Sequence, residues 1–217
     1  MRIAVLGTGV VGRTLAAALV THGHEVTVGT RDPVASLARD GADGFGTWAA
    51  AHPTIEVGSF AEAATGAELV VNALAGTASV AGVTAAGIAD GTVLLDVANP
   101  LDASHGFPPS LFVANTDSLA EQLQRAQPGL RVVKSLNTMT ARLMVSPQEL
   151  PGFTTFVSGD DADSKAVVTR LLTELGHTDV IDLGPLETAR GAEALMLVWL
   201  RLWGVVGSPM FGYRIVR

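Results

Sequence analysis

Six residues, Gly7-Thr8-Gly9-Val10-Val11-Gly12, constrain this chain more than any other feature. They follow directly on the apolar run Ile3–Leu6 and open a helical stretch, Val11–His22, in which Leu15, Leu19 and Val20 recur at helical spacing. A strand, a glycine-rich turn and a helix in that order form a cradle for a pyrophosphate. Gly7 permits the tight turn, Gly9 lets the backbone approach the phosphates, and Gly12 lets the helix pack against the strand. The free N–H groups at the positive end of the helix then hold the anion.

The remaining pattern agrees with that start. Strand-like runs at Glu25–Gly29, Leu69–Leu74, Thr92–Val97 and Arg131–Ser135 alternate with helical stretches near Val34–Arg39, Ser59–Thr65, Ser79–Ala89 and Asp117–Ala126. The continuous apolar character of these runs suits strands buried on both faces of a parallel sheet. The expected fold class is α/β, a Rossmann-type doubly wound parallel sheet. After Pro147 and Pro151 the pattern resumes as strand Thr154–Ser158, helix Asp161–Leu175, strand Thr178–Asp182 and helix Leu186–Trp203. Residues 1–150 thus read as a nucleotide-binding domain and 151–217 as a small C-terminal α/β lobe, or else as a continuation of the sheet.

Composition excludes several functions. The 217 residues contain no cysteine, which removes disulfides, thiolate metal sites and cysteine nucleophiles. A net charge of −7 argues against a nucleic-acid or anionic-membrane surface, which needs clustered cations. Ile3–Leu6 is too short for a signal sequence. The apolar stretch Ala194–Met210 carries Arg201 mid-way and is broken by Gly204, Gly207 and Pro209, so it reads as a buried helix and not a membrane span. The expected compartment is the cytoplasm.

The end of the second strand selects the dinucleotide. An NAD site places a carboxylate there for the ribose hydroxyls, whereas an NADP site offers hydroxyl and guanidinium donors to the 2′-phosphate. Here the strand ends in Thr30-Arg31, and Asp32 caps the next helix with Pro33 in its first turn. The expected cofactor is NADP.

Ligands of open α/β sheets sit outside the carboxyl ends of the strands. Those ends carry Ala73-Leu74-Ala75-Gly76, Ala98-Asn99-Pro100-Leu101 and Ser135-Leu136-Asn137-Thr138-Met139. No carboxylate–lysine pair is evident, because Lys134 lies inside a strand run. Of the five histidines only His105, in the loop Asp102–Pro109, is placed to reach the cleft, and His22-x-His24 lacks metal-ligand spacing. No catalytic side chain and no metal ligand is assigned. Such a site positions reactants without moving protons, which suits hydride exchange between two cofactors.

At these residues the chain resembles the F420-dependent NADP reductase family, which passes hydride between NADPH and an 8-hydroxy-5-deazaflavin. The resemblance runs through Met1–Gly12, Gly23–Arg31, Asp96–Leu101, Val133–Thr138, Ser158–Asp161 with Lys165, Asp182–Leu186 and the C-terminal helix. It is also similar to the cytosolic domain of six-transmembrane metalloreductases, which use the module on flavin. The resemblance implies NADP contacts at Thr8, Gly9, Val10, Val11, Thr30, Arg31 and Ala75, with Ala73 and Leu74 beside them. It implies a deazaflavin or flavin face at Asn99, Pro100, Asn137 and Met139. Family members acting on deazaflavin carry His where this chain has Asn137, and the flavin-linked branch carries Asn. The second cofactor, F420 or flavin, is therefore left open between the two.

The C-terminal helix is apolar on every face from Leu195 to Leu200, which predicts burial on all sides. Trp199 and Trp203 stand one turn apart, and the resemblance implies a homodimer. Two other readings remain: a reductase of a flavin or a small carbonyl or imine, with His105 or water as acid, and a nucleotide sensor without turnover.

Overall fold

The structure is a computed structural model that describes residues 1–217. In chain order its elements are β1 (Arg2–Leu6), α1 (Val10–Thr21), β2 (Glu25–Thr30), α2 (Pro33–Leu37), α3 (Phe45–Ala51), β3 (Glu56–Ser59), α4 (Phe60–Ala64), β4 (Leu69–Asn72) and α5 (Gly76–Ala85). There follow β5 (Val93–Asp96), β6 (Leu101–Asp102), β7 (Ser110–Leu111), α6 (Leu119–Ala126), β8 (Arg131–Ser135), α7 (Ala141–Val145), β9 (Thr155–Gly159), α8 (Ala162–Glu174), β10 (Val180–Gly184) and α9 (Ala189–Val206). Eight strands form one sheet in the order β3-β2-β1-β4-β5-β8-β9-β10, and β6 with β7 makes a separate two-stranded hairpin.

The first six positions of that order are parallel and doubly wound, as the alternation of strand and helix requires. β9 then runs antiparallel to β8, with Lys134 opposite Ser158, and β10 is parallel to β9. Residues 155–184 therefore extend the existing sheet and build no second one.

Side chains alternate across a strand, and both faces of this sheet are covered, so each strand feeds two cores. Ile3 and Val5 join Leu15 and Leu19 of α1, Val71, Leu95 and Leu171 on one side. Ala4 and Leu6 join Val70, Leu94, and Leu119 and Leu123 of α6 on the other. This division explains why the central strands read as unbroken apolar runs. The helices are fastened locally: Asp32 accepts from Ala35 N at 3.0 Å with Pro33 behind it, and Ser59 and Glu62 form a reciprocal capping box.

α9 differs from the expectation of burial all round. Met196, Trp199 and Leu200 pack on Leu101, Leu111, Phe211 and Tyr213, but Leu197 and Val198 are 45% and 50% exposed. A helix lying on a layer of one chain can cover only one stripe of its own circumference, and the opposite stripe stays open. No helix is long and apolar enough to cross a membrane.

A buried histidine ties the C-terminal strands to α7. The hydroxyl of Thr155 stands 2.8 Å from His177 Nδ1, and Nε2 stands 3.0 Å from Met144 O. A neutral ring serves both bonds, accepting at Nδ1 and donating from Nε2. Burial pushes the His177 pKa below its usual value, with the bond to Met144 O opposing. Because the folded pKa is depressed, the unfolded chain binds the proton more readily. The stability contributed by neutral His177 is full above pH about 6.5 and is lost as pH falls from there through the folded pKa. Urea unfolding followed across this range should show that slope in the wild type and a shallower one in His177→Gln.

Candidate functional site

The glycine turn has the geometry its sequence implies. Gly7 adopts φ +123°, and a Cβ there would stand 2.6 Å from Ala73 O at the end of β4. A Cβ on Gly12 would stand 2.1 Å from Gly7 O, so the first turn of α1 packs directly on the loop it leaves. At Gly9 a Cβ would meet nothing within 4 Å. The open space lies where the backbone faces outward at the N-terminus of a twelve-residue helix, and it leaves room for a phosphate to reach the amides. Gly9 and Val10 are exposed there, ready for contact.

A groove of about 550 Å³ runs past Arg31, Ser59, Phe60, Leu74, Thr77 and Ala78. A second cleft of about 260 Å³ opens at the carboxyl ends of β4, β5 and β8. Leu74 lines both, so the two compartments adjoin. They meet where the strand order reverses, the point at which such sheets take dinucleotides.

Arg31 is exposed and forms no ion pair, leaving its fork available to an anion. Thr30 is buried, and its hydroxyl is 2.7 Å from that of Ser36. In such a pair one hydroxyl hydrogen is used internally and the other remains for an outside acceptor.

The second cleft gathers most of the remaining residues singled out in the sequence: Val11, Ala73, Ala75, Asn99, Asn137 and Met139. Met144 of α7 and Met196 of α9 complete the wall. Pro100 is buried behind this surface, and its carbonyl accepts from Phe112 N at 2.9 Å, which fastens the β6–β7 hairpin. His105 is exposed on that hairpin and lines no part of the cleft.

The two asparagines fix each other. Asn99 Nδ2 donates to Asn137 O at 2.8 Å; Asn137 Nδ2 donates to Asn99 Oδ1 at 2.9 Å and to Ala192 O of α9 at 3.0 Å. Both hydrogens of the Asn137 amide are used, so its orientation is set and its Oδ1 is left without a protein donor. Just before it, Leu136 is held at φ +61° while buried, a left-handed conformation that costs a side-chain-bearing residue about 1–2 kcal/mol. The surrounding core imposes that bend, which turns the chain from β8 into the cleft wall.

Behind the asparagines lies a buried ionic network that the sequence reading missed. Lys134 is not an isolated strand residue: its Nζ donates to Asp96 Oδ2 and Glu193 Oε1, both at 2.8 Å, and to Ala98 O. Burial pushes its pKa down, and the two carboxylates more than offset this, leaving it raised. Asp96 Oδ1 accepts from Asn72 Nδ2 at 2.8 Å. Glu193 also accepts from the backbone N–H groups of Leu119 and Ala120, capping α6 from another element. All three Lys134 donors are engaged and none faces the cleft, so this pair is structural. It anchors the Ala98–Asn99 segment and α9 to the sheet. Thirty-eight residues separate Lys134 from Asp96, and only their pairing in adjacent strands brings them together.

The five histidines and the carboxylates nowhere assemble into a group of three that could hold a metal. No titratable side chain lines the second cleft.

Comparison with known proteins identifies the family. Residues 2–100 match the family model described as NADP oxidoreductase, coenzyme F420-dependent. The crystal structure of a candidate F420-dependent NADP reductase from Arthrobacter sp. FB24 is 56% identical over the whole of both chains, with a TM-score of 0.97. The chain belongs to the F420-dependent NADP oxidoreductase family. Its members are NADP oxidoreductases, and this protein is an NADP-dependent oxidoreductase. It is also 27% identical over 207 residues to metalloreductase STEAP3 of Rattus norvegicus, covering 94% of this chain and 38% of that protein's length. A reductive aminase from Aspergillus terreus in complex with NADPH shares the fold, with a TM-score of 0.64 and 19% identity over 95% of this chain and 62% of that one.

Proposed function

We propose that this oxidoreductase transfers hydride between NADP(H) and a deazaflavin of the F420 type. The observation that carries the reading is the second cleft: an apolar pocket with two fixed amides and no ionisable side chain, adjoining the nucleotide groove. A reaction needing general acid or base catalysis would call for a titratable group within reach of the substrate. Hydride exchange between two rings does not, and the relative at 56% identity bears the matching name.

When bound, the nicotinamide and the deazaflavin supply the redox chemistry. The chain's residues bind, orient and exclude water. Gly7–Gly12 hold the pyrophosphate, and Thr8, Thr30 and Arg31 take the 2′-phosphate. Ala73, Leu74 and Ala75 form the small apolar wall beside the nicotinamide. Asn99, Asn137 and Met139 form the face offered to the second ring, with Pro100 supporting it from behind. Such orientation alone can contribute several kcal/mol to the rate.

Asn137 favours a second reading in which flavin replaces deazaflavin, since the metalloreductase domains that resemble this chain carry Asn there. Following NADPH absorbance with F420, FMN and a small imine in turn separates the alternatives. Oxidation with F420 is the expected result. Oxidation with FMN alone would transfer the assignment to flavin, and none with any acceptor would favour a sensor.

The open stripe of α9, with Leu197, Val198, Val205 and Val206 exposed, is proposed to be covered by a second copy of the chain, as the family resemblance implies. Light scattering at micromolar concentration should give the mass of a dimer, and a monomer would remove this assignment. The proposed place of action is the cytoplasm.

A further inference from the structure

We propose that Arg39, which lies outside the glycine motif and beyond the Thr30-Arg31 tip, is a second guanidinium for the 2′-phosphate and helps to select NADP over NAD. The inference rests on NADP being the bound nucleotide.

Arg39 follows α2 in the chain, yet its side chain returns to the phosphate-binding turn. Its Nη2 donates to Thr8 Oγ1 at 2.6 Å, a residue between two glycines of the motif and 31 positions away. Its Nε faces Ser36 O at 3.5 Å, and Ser36 Oγ is the partner of Thr30. The guanidinium lies 5.8 Å from the Phe45 ring centre, on whose face it is supported. Three hydroxyls, on Thr8, Thr30 and Ser36, and the Arg39 guanidinium thus belong to one corner at the carboxyl ends of β1 and β2, and Arg31 follows Thr30 directly in the chain.

That corner is where the second strand ends, and the group recognised there is the 2′ position of the ribose. Neither arginine has a carboxylate partner in the structure. An exposed arginine in an acidic protein that docks on a threonine hydroxyl, and not on a carboxylate, keeps its charge uncompensated. The two contacts, with Thr8 and Ser36, leave three of its five N–H donors for an anion. The first also uses Thr8 Oγ1 as an acceptor, which leaves the Thr8 hydroxyl hydrogen free to donate to the same phosphate. The placement is therefore cooperative: Arg39 both contributes charge and orients Thr8.

A structural alternative is that Arg39 only steadies the glycine turn. The two roles differ in which nucleotide they affect. The turn holds the pyrophosphate of NADP and NAD alike, whereas a 2′-phosphate contact acts on NADP alone.

The test measures dissociation constants of NADP⁺, NAD⁺ and 2′,5′-ADP by titration calorimetry in wild type, Arg39→Ala and Arg39→Lys, with Arg31→Ala as reference. Arg39→Ala should weaken NADP⁺ and 2′,5′-ADP about tenfold or more, the size of a lost charge-assisted hydrogen bond, and leave NAD⁺ within about twofold. Arg39→Lys should fall between, since it keeps the charge and loses the fork. Equal weakening of NADP⁺ and NAD⁺, or none of either, would overturn the assignment. A wild type that binds NADP⁺ and NAD⁺ equally would instead remove the NADP premise. A wild type that prefers NADP⁺, with the preference intact in Arg39→Ala, removes only the role of Arg39. Arg39 is exposed, and thermal unfolding of each variant separates lost folding from lost binding.

Discussion

Replacing Lys134 with methionine should destabilise the protein by about 3–5 kcal/mol, a large share of the total stability of an ordinary domain. The substitution roughly preserves side-chain volume and removes the only cation facing two buried carboxylates. Asp96 keeps the amide of Asn72 and the backbone N–H of Ala98, while Glu193 keeps the first N–H groups of α6. Neither set neutralises a full negative charge in a site this deeply buried. Both carboxylates must then take up protons or draw water in, and either change loosens β5, α6 and α9 together.

A compensated variant separates charge from packing. Lys134→Met combined with Asp96→Asn and Glu193→Gln should recover most of the loss, because the network is then neutral and much of its hydrogen bonding survives. Guanidinium unfolding of wild type, single and triple variants measures this directly. A single variant within 1 kcal/mol of wild type, on the order of a surface substitution, would show that the network does not hold the site together.

The second large effect concerns nucleotide binding. Gly12→Ala should reduce NADP⁺ affinity on the order of 100-fold and lower stability as well. The added Cβ would lie 2.1 Å from the carbonyl oxygen of Gly7, and both partners are backbone, so no flexible side chain can yield. Either the turn opens or α1 moves away from β1, and the amides no longer converge on the phosphate.

Gly9→Ala provides the contrast. Its Cβ would meet no protein atom within 4 Å, so stability should stay near that of wild type. The methyl group would instead fill the space that the phosphate needs, and affinity should still fall. NADPH fluorescence titration beside urea unfolding tests both variants. Wild-type affinity in Gly9→Ala would contradict the placement of the pyrophosphate.

These two effects also mark what the sequence made legible. The β1-turn-α1 unit is local: the consecutive residues Arg2–Thr21 carry its strand, its turn and its helix, and the structure gives Gly7 its positive φ and packs Gly12 against the turn. The strand ends were equally readable, because a parallel sheet presents its carboxyl ends on one side, and Asn99, Asn137 and Met139 do meet there. β3 escaped notice because Glu56-Val57-Gly58-Ser59 has a single aliphatic side chain and is an edge strand held by its backbone ladder with β2. The pairing of Lys134 was hidden because it depends on register between strands, which hydropathy does not encode. The stripe of α9 left open in the single chain was not legible for a related reason: a helix apolar all round shows that its faces need cover, and not which chain supplies it. Arg39 was invisible because only the fold brings the end of α2 back to Thr8.

Under the proposed function, hydride passes directly between the nicotinamide of NADP(H) and a deazaflavin held over Asn99, Asn137 and Met139. The most direct measurement uses NADPH carrying deuterium at C4, in each of its two stereochemical forms, with oxidised F420. Mass spectrometry of the reduced deazaflavin should find the label at its reacting carbon from one form only. Label released to water, label accepted from both forms alike, or no reduction of F420 would contradict the account.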